Sequence, residues 1–385
     1  RKRRRLLILI GKIDFKSFLS QDSPRNLTDS FPNITELARE RGYAIEEHKV
    51  KTVDGYVLGL HRLKSNLNTG VPVFLMHGLI DSSDSWILQG PNSLAYLLVD
   101  EGFDVWMGNA RGNKYSASHT ELSPNEETFW TFSWEEIGVY DLPAMIDHIL
   151  NITNKQTLYY VGHSQGTTSF FVMGALKPDY KSKIKTMFAL SPIAYLSHAK
   201  SPMLRYLSTI PTVLQYFQYY TLTPSSDFLH QIYASVCKVT STGCGSMFEM
   251  VFGTNYFVNE AFLPIIIGHS STSSIRQFLH YWQLYRSGRF CRFDYGWMRN
   301  LFVYGQFSAP DYDLSEVNVP VILFFSSNDW LSHPSDVSML KSQLPNVCTS
   351  YYSQYLSHID YLYASVAKET VYDKIIAHIH DYERR

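Results

Sequence analysis

The stretch Gly162-His163-Ser164-Gln165-Gly166 sets a serine between two glycines. It comes straight after the apolar run Leu158–Val161 and before the small-then-apolar stretch Thr167–Leu176. A serine in a G-x-S-x-G pattern between a strand and a helix is a candidate nucleophile, because the glycines permit a sharp turn that exposes its hydroxyl. A bland turn would account for the five residues alone; the strand before and the helix after favour chemistry. A free serine hydroxyl barely ionises near neutral pH, so Ser164 needs a base, and the base needs an acid to fix its tautomer. In the order serine, acid, histidine, the acid follows a late strand. Val321–Phe325 is such a strand and Ser326-Ser327-Asn328-Asp329 leaves its end, which selects Asp329 over Asp311, Asp313 and Asp336. The histidine belongs after the last strand and before the final helix, where His358 lies; His333 comes too early, and His378 and His380 fall on the terminal helix. A developing oxyanion needs two N–H donors. Gln165, the residue after the nucleophile, supplies one, and Leu79 in the turn Met76-His77-Gly78-Leu79 supplies the other. His77 itself is expected to pack or hydrogen-bond locally.

These residues must be held by strands and helices in alternation. Tyr43–Val53 and Tyr56–Leu63 alternate apolar and polar residues about Asp54-Gly55, a hairpin signal. Pro72–Met76, Asp104–Met107, Leu158–Val161, Lys185–Leu190, Val319–Phe325 and Cys348–Tyr352 read as strands. Helical spacing predicts helices over Asn92–Glu101, Trp134–Leu150, Gln165–Leu176 and Tyr361–His380. The alternation predicts an α/β protein, with a mostly parallel sheet covered by helices on both faces. Between Ser191 and Gln306 it stops. Leu204, Leu207, Ile210, Leu214 and Phe217 follow helical spacing, as do parts of Phe228–Met250 and Ile275–Ser287, so an all-helical cap over the sheet edge is expected there. The division is a terminal segment at 1–42, a core at 43–190 and 307–385, and a cap at 191–306. Residues 1–42 read as polar and irregular apart from one apolar run.

Composition narrows the function. The 385 residues are 45% hydrophobic and 15% aromatic, enough for a large core and suited to apolar ligands. A formal net charge of −1 gives no field that favours nucleic acid. The fourteen histidines show no H-E-x-x-H, the cysteines no C-x-x-C, and no phosphate-binding loop is present, so neither metal nor cofactor is expected. Arg1–Arg5 followed by Leu6–Ile10 has the order of a secretory leader, with a solvated basic tail as the alternative. No run reaches the roughly 18 apolar residues of a membrane helix, so a soluble monomer that adsorbs to interfaces is expected. Sequons place candidate glycans on Asn26, Asn33 and Asn151.

The chain resembles the acid lipase family, which includes lysosomal and gastric lipases and invertebrate digestive lipases. The resemblance is carried by Thr52-Val53-Asp54-Gly55-Tyr56, Met76-His77-Gly78-Leu79, Gly108-Asn109-Ala110-Arg111-Gly112-Asn113-Lys114-Tyr115-Ser116, Phe132-Ser133-Trp134, Tyr140-Asp141-Leu142-Pro143-Ala144, Gly162–Gly166, Asn328-Asp329 and His358. It implies the α/β-hydrolase fold, with Ser164, Asp329 and His358 as triad and Leu79 and Gln165 as oxyanion donors. It implies hydrolysis of neutral lipid esters at a lipid–water interface, mainly triacylglycerols with sterol esters second, in a secreted or lysosomal enzyme. It also implies a cap disulfide, for which Cys237 and Cys244 are the nearest match, and leaves Cys291 and Cys348 as free, buried thiols. Two other readings compete. The same triad would serve a carboxylesterase or acyltransferase of small soluble esters, and a non-catalytic lipid-binding protein is disfavoured by the intact triad. In the lipase reading, the aromatics Tyr216–Tyr220 are expected to line an acyl groove.

Overall fold

The computed structural model describes residues 31–65, 70–202, 204, 220–222 and 248–384. Its strands, in chain order, are β1 (Ile45–Lys51), β2 (Val57–Leu63), β3 (Pro72–Met76), β4 (Asp104–Gly108), β5 (Leu158–His163) and β6 (Ile184–Leu190). They are followed by the two-residue β7 (Thr221–Leu222) and β8 (Ser273–Ser274), then β9 (Val321–Ser326) and β10 (Val347–Ser353). Eight of them form one sheet in the order β1-β2-β4-β3-β5-β6-β9-β10. The β1–β2 hairpin and the β2–β4 pair are antiparallel, and every other neighbour pair in this sheet is parallel.

The continuous apolar runs in the middle strands are buried on both faces, as parallel strands between helical layers must be. Successive residues alternate between two cores. Phe74, Met76, Tyr160, Met187, Ala189 and Leu323 point one way, toward Ile146 and Ile149 of the helix Leu142–Thr153 and Phe170 of the helix Gln165–Leu176. Val73, Leu75, Val161, Phe188, Leu190 and Phe324 point the other way, toward Leu94 and Leu98 of the helix Leu94–Asp100 and Ile375 and Ile379 of Asp373–Glu383. This topology brings the ends of β5, β6 and β9 side by side.

Several elements differ from the sequence reading. The helix expected over Trp134–Leu150 is three pieces: Trp134–Glu136, a π turn at Ile137–Asp141, then Leu142–Thr153. Pro143, in the first turn of the last piece, has no N–H to donate into the preceding turn, which favours a break there. The terminal helix is also divided. Asp360–Tyr363 ends at Ala364 in extended conformation, and the chain resumes through a π turn at Lys368–Tyr372 into Asp373–Glu383. Within 1–42, Ile34–Glu40 is helical rather than irregular. Asn33 caps it in a reciprocal box with Glu36, and Ile34 and Ala38 are buried in the core.

The described part of 191–306 carries the helices Leu263–His269, Ile275–Ser287 and Trp297–Tyr304. It is not all-helical, because β7 pairs antiparallel with β8. Cys291 is buried, but Cys348 is exposed, since β10 is an edge strand with one side open to water. The basic and apolar run at 1–11, Asn26, Leu207, Ile210, Leu214, Phe217, the stretch 228–247 and the pair Cys237 and Cys244 lie outside the described residues.

Candidate active site

The turn after β5 is as tight as its glycines suggest. Ser164 sits at φ +51° and ψ −117°, a strained conformation for a residue with a side chain. A Cβ on Gly162 would come 2.9 Å from the backbone of Gly166, and one on Gly166 would come 2.3 Å from the Met76 carbonyl oxygen. No side chain larger than hydrogen fits at Gly166 without moving β3. The Ser164 N–H is tied to the Leu190 carbonyl at the end of β6 (3.0 Å), which fixes the turn on the sheet.

The hydroxyl so exposed meets a histidine. Ser164 Oγ lies 2.8 Å from His358 Nε2, and His358 Nδ1 lies 3.0 Å from both carboxylate oxygens of Asp329. His358 and Asp329 are buried, and Ser164 Oγ faces a cavity. Asp329 leaves the end of β9, and the backbone N–H groups of Leu331 and Ser332 donate to its Oδ1 at 2.9 and 2.8 Å. Burial alone would push this carboxyl upward. The adjoining His358, its hydrogen bond, and further bonds from Ser191 and Ser332 outweigh that, and the pKa falls below the usual carboxylate value.

Ser191 is the residue that sequence reasoning missed. Its hydroxyl donates to Asp329 Oδ2 and lies 2.6 Å from His358 Nδ1. It stands at φ +53°, just past the end of β6, with its N–H on the Phe324 carbonyl of β9 (2.9 Å). Nothing in the string Leu190-Ser191-Pro192 marks it; only the pairing of β6 with β9 brings it to the acid.

The loop after β3 faces the same hydroxyl. A Cβ on Gly78 would stand 3.3 Å from Ser164 Cβ, and Leu79 and Ile80 line the cavity with Ser164 and His358. The Gln165–Leu176 helix begins at Gln165, whose N–H, as the first of a helix, has no partner in the preceding turn. His77 supports the loop and does not face the reaction. Its Nε2 accepts from the Ala110 N–H (3.1 Å), so Nδ1–H donates to the Gly78 carbonyl (2.7 Å). Burial holds its pKa down to about 4, so the ring stays neutral. His163, next to Ser164 in the chain, is pushed down to about 3 by burial and by the neighbouring His358, and pairs its Nε2 with the His358 carbonyl (2.8 Å).

The Gly108–Ser116 stretch turns out to be scaffold. Arg111 is buried and bridges Asp141 (2.7 Å) to Asp54 (2.7 Å), with its guanidinium 4.1 Å above the Tyr56 ring. Asn113 Nδ2 donates to Asn109 Oδ1 at 2.8 Å, beneath the His77 loop. The other candidates lie elsewhere. Asp311 pairs with Arg289, Asp313 caps a short turn, Asp336 pairs with His198, His378 meets Tyr351 and His380 meets Glu101.

The cavity above Ser164 measures about 290 Å³ and is lined mainly by apolar groups, among them Leu79, Ile193, Leu196, Phe248, Phe252 and Ile266. Phe252 stacks parallel to the His358 ring, centroids 6.1 Å apart, and its carbonyl accepts the His358 N–H at 2.9 Å. Asn328 clasps this segment: its Nδ2 donates to the carbonyls of Thr254 (2.7 Å) and Tyr355 (2.8 Å), and its Oδ1 accepts from the Thr254 N–H (3.1 Å). Tyr220, expected in an acyl groove, lines a separate cavity with Trp130, Arg276 and Tyr295 instead. Tyr216–Tyr219 lie outside the described residues.

The arrangement is that of a base-assisted hydroxyl nucleophile facing an apolar chamber. Residues 71–357 match the α/β-hydrolase fold family model, and residues 34–90 match a partial α/β-hydrolase lipase region. The chain is 40% identical to Lipase 1 of Drosophila melanogaster, over 90% of this chain and 80% of that protein. It is 37% identical to the gastric triacylglycerol lipase of Rattus norvegicus, over 90% of this chain and 91% of that protein. It is 35% identical to the human lysosomal acid lipase/cholesteryl ester hydrolase, over 91% of each. Among solved structures, an epoxide hydrolase from Vigna radiata superposes with TM-score 0.54 at 16% identity, covering 88% of this chain and 98% of that one. A soluble variant of monoglyceride lipase from Saccharomyces cerevisiae gives 0.52 at 13%, covering 86% and 94%; both likenesses are of fold. Identity sustained along nine-tenths of the chain, on a sheet that sets a serine elbow beside a buried histidine and aspartate, places this protein in the acid lipase family of the α/β-hydrolase fold.

Proposed function

We propose that this chain is a triacylglycerol lipase that also accepts sterol esters, with Ser164 as nucleophile, His358 as base and Asp329 as acid. The observation that carries the reading is the 2.8 Å approach of His358 Nε2 to a Ser164 hydroxyl that opens into an apolar cavity. Ser164 Oγ attacks the ester carbonyl carbon while Nε2 takes its proton. The backbone N–H groups of Leu79 and Gln165 hold the tetrahedral oxyanion. The C–O bond breaks as His358 returns the proton to the leaving alcohol. Water, deprotonated by His358, then attacks the acyl-enzyme and releases the fatty acid and free Ser164. Asp329 keeps Nδ1 protonated and stabilises the imidazolium. His163, neutral through the acid range, adds no positive charge opposing that imidazolium 5.1 Å away.

Residues 191–306 serve as a cap over this site, on a core of 43–190 and 307–385. No helix among the described residues is long and apolar enough to cross a membrane. The lysosomal and gastric names among the relatives favour a secreted or lysosomal enzyme, and we propose that it works as a monomer. Asn33 and Asn151 are exposed, as glycan acceptors must be. The deciding experiment is hydrolysis of an emulsified long-chain triacylglycerol, beside a short soluble ester and Ser164→Ala. Activity on the emulsion that falls at least a thousandfold in Ser164→Ala supports the reading. Turnover confined to the short ester would make the protein an esterase, and activity within tenfold in the variant would remove Ser164 from the mechanism.

A further inference from the structure

The aim of the Gln165 N–H, an oxyanion donor in the lipase reading, depends on its neighbour Ser164, which stands in a strained conformation at φ +51° and ψ −117°. The peptide unit that joins the two residues is gripped at its carbonyl end. The Ser164 carbonyl accepts from the N–H groups of Thr167 (2.9 Å) and Thr168 (3.3 Å) and from the Thr167 hydroxyl (2.6 Å). The other end is Gln165, and its grip comes from the 191–306 region. Gln165 Nε2 donates to Gln277 Oε1, and Gln277 Nε2 donates to Ser273 Oγ at 2.7 Å. Both glutamines are buried.

Gln277 belongs to the helix Ile275–Ser287, distant from the elbow in the chain but fixed beside it. One turn on, Tyr281 donates its hydroxyl to Thr168 Oγ1 (3.0 Å), so two rungs join this helix to the helix Gln165–Leu176. Ser274 caps the start of the helix and donates to the Trp130 carbonyl (2.7 Å), and Arg276 Nη1 donates to the Thr131 carbonyl (2.7 Å). His280 stacks on Trp134 with centroids 3.8 Å apart. Its Nε2–H donates to the Cys291 carbonyl (3.0 Å), and its Nδ1 accepts from the Ser133 hydroxyl (2.6 Å). A side chain on so fixed a helix is a firm anchor. Phe278 and Tyr281 line the catalytic cavity, and Gln277 does not. Burying an amide costs desolvation that only its hydrogen bonds offset, and those of Gln277 run to Gln165 and Ser273.

We propose that Gln277 is a positioning residue of the oxyanion site, holding the Gln165 side chain and, through it, the aim of the Gln165 N–H. The inference rests on the reading of Ser164 as nucleophile and Gln165 as donor. Steady-state kinetics of the full-length protein on p-nitrophenyl butyrate test it. Gln277→Leu keeps the bulk of the side chain and removes the acceptor. Its kcat should fall roughly ten- to a hundredfold with KM within about twofold, less than the roughly 10²–10³-fold lost when an oxyanion donor is removed outright. Gln277→Glu keeps an acceptor. Relative to the parent, its kcat should be highest at acid pH, where the introduced carboxyl accepts from Gln165 Nε2 and donates to Ser273 Oγ. It should decline as that carboxyl ionises and sets a negative charge behind Gln165. Gln165→Leu alone should lose as much as Gln165→Leu with Gln277→Leu, because the second change acts through the first residue. A melting temperature near the parent's shows that a variant folds; if Gln277→Leu does not, the pH profile of Gln277→Glu decides. The proposal is overturned by a Gln277→Leu kcat within about threefold of the parent's, by a loss confined to KM, or by losses that multiply in the double variant. A ratio of Gln277→Glu to parent that stays flat from about pH 5 to about pH 9 overturns it as well. Failure on emulsified triacylglycerol would refute the lipase reading and leave this inference standing on the soluble ester, whereas a parent-like Gln277→Leu would do the reverse.

Discussion

At the scale of single residues, Ser191 separates what the sequence announces from what it conceals. The Ser191 hydroxyl supplies one of the bonds that keep Asp329 ionised, and also touches the His358 nitrogen that Asp329 holds. Removing it leaves a buried carboxylate oxygen short of one donor, at a cost of about 1–3 kcal/mol. Ser191→Ala should therefore lower kcat by roughly 5- to 100-fold with little change in KM, and raise the pH of the acid limb of kcat/KM as Asp329 becomes easier to protonate. Kinetics on a soluble ester across pH would show it; a flat profile with full activity would make Ser191 packing only. The meeting of Ser164, Asp329 and His358 was legible because each follows a strand end in a fixed chain order. Ser191 was not, because its role depends on which strands are neighbours, and one sequence does not state that.

At the scale of elements, the buried strands and the Gln165–Leu176 helix could be read almost to the residue, because continuous apolar runs mark the strands and the small-then-apolar stretch after the elbow marks the helix. The breaks at Ile137–Asp141 and 364–366 escaped, since periodicity carries across a π turn or a three-residue interruption. The tight contacts between elements are where substitutions should act. Gly166→Ala puts a methyl 2.3 Å from the Met76 carbonyl oxygen, so the helix start and β3 must part. We expect a loss of about 1–3 kcal/mol in urea unfolding and activity near background, because Leu79 and Gln165, the proposed oxyanion donors, move with those elements. Gly253→Ala is a different case. Its φ of +107° and a Cβ 1.8 Å from the Asn328 carbonyl should break the clasp and lower the unfolding midpoint, whereas Thr254→Ser, which keeps every backbone bond there, should not.

Across the whole molecule, the buried titrating groups predict how stability follows pH. Burial holds His61 and His77 down to about 4 and His163 and His280 to about 3. Each contributes stability that is present above the ordinary histidine value and is lost as pH falls toward those numbers, because the unfolded chain takes up the proton first. Asp360 and Asp81, pushed up by burial to about 6 and about 7, act in the opposite sense. Their contribution is full below the ordinary aspartate value and is lost as pH rises through 6 and 7. Glu136 and Asp141 are raised by burial in the same sense as those two aspartates, so the melting temperature should fall between neutral pH and about pH 4 less steeply than the histidines alone would dictate. Asp360 is buried with Oδ1 unpartnered, which suits a protonated carboxyl. Asp360→Asn should raise the melting temperature at pH 8, with the gain closing as pH approaches 4. A gain independent of pH would show that Asp360 does not titrate in this range.

The clasp at Asn328 joins one edge of the 191–306 region to the core. Phe252 and Thr254 are bolted to the loops that carry the acid and the base, and the backbone N–H of His358 hangs on Phe252. Raising that edge would pull the histidine off its mark. It behaves as a rivet between Phe252–Thr254 and the loops that carry Asp329 and His358. A substitution made at that edge, Asn328→Ala, should therefore be felt at the floor of the cavity, loosening His358 together with Phe252 and Thr254.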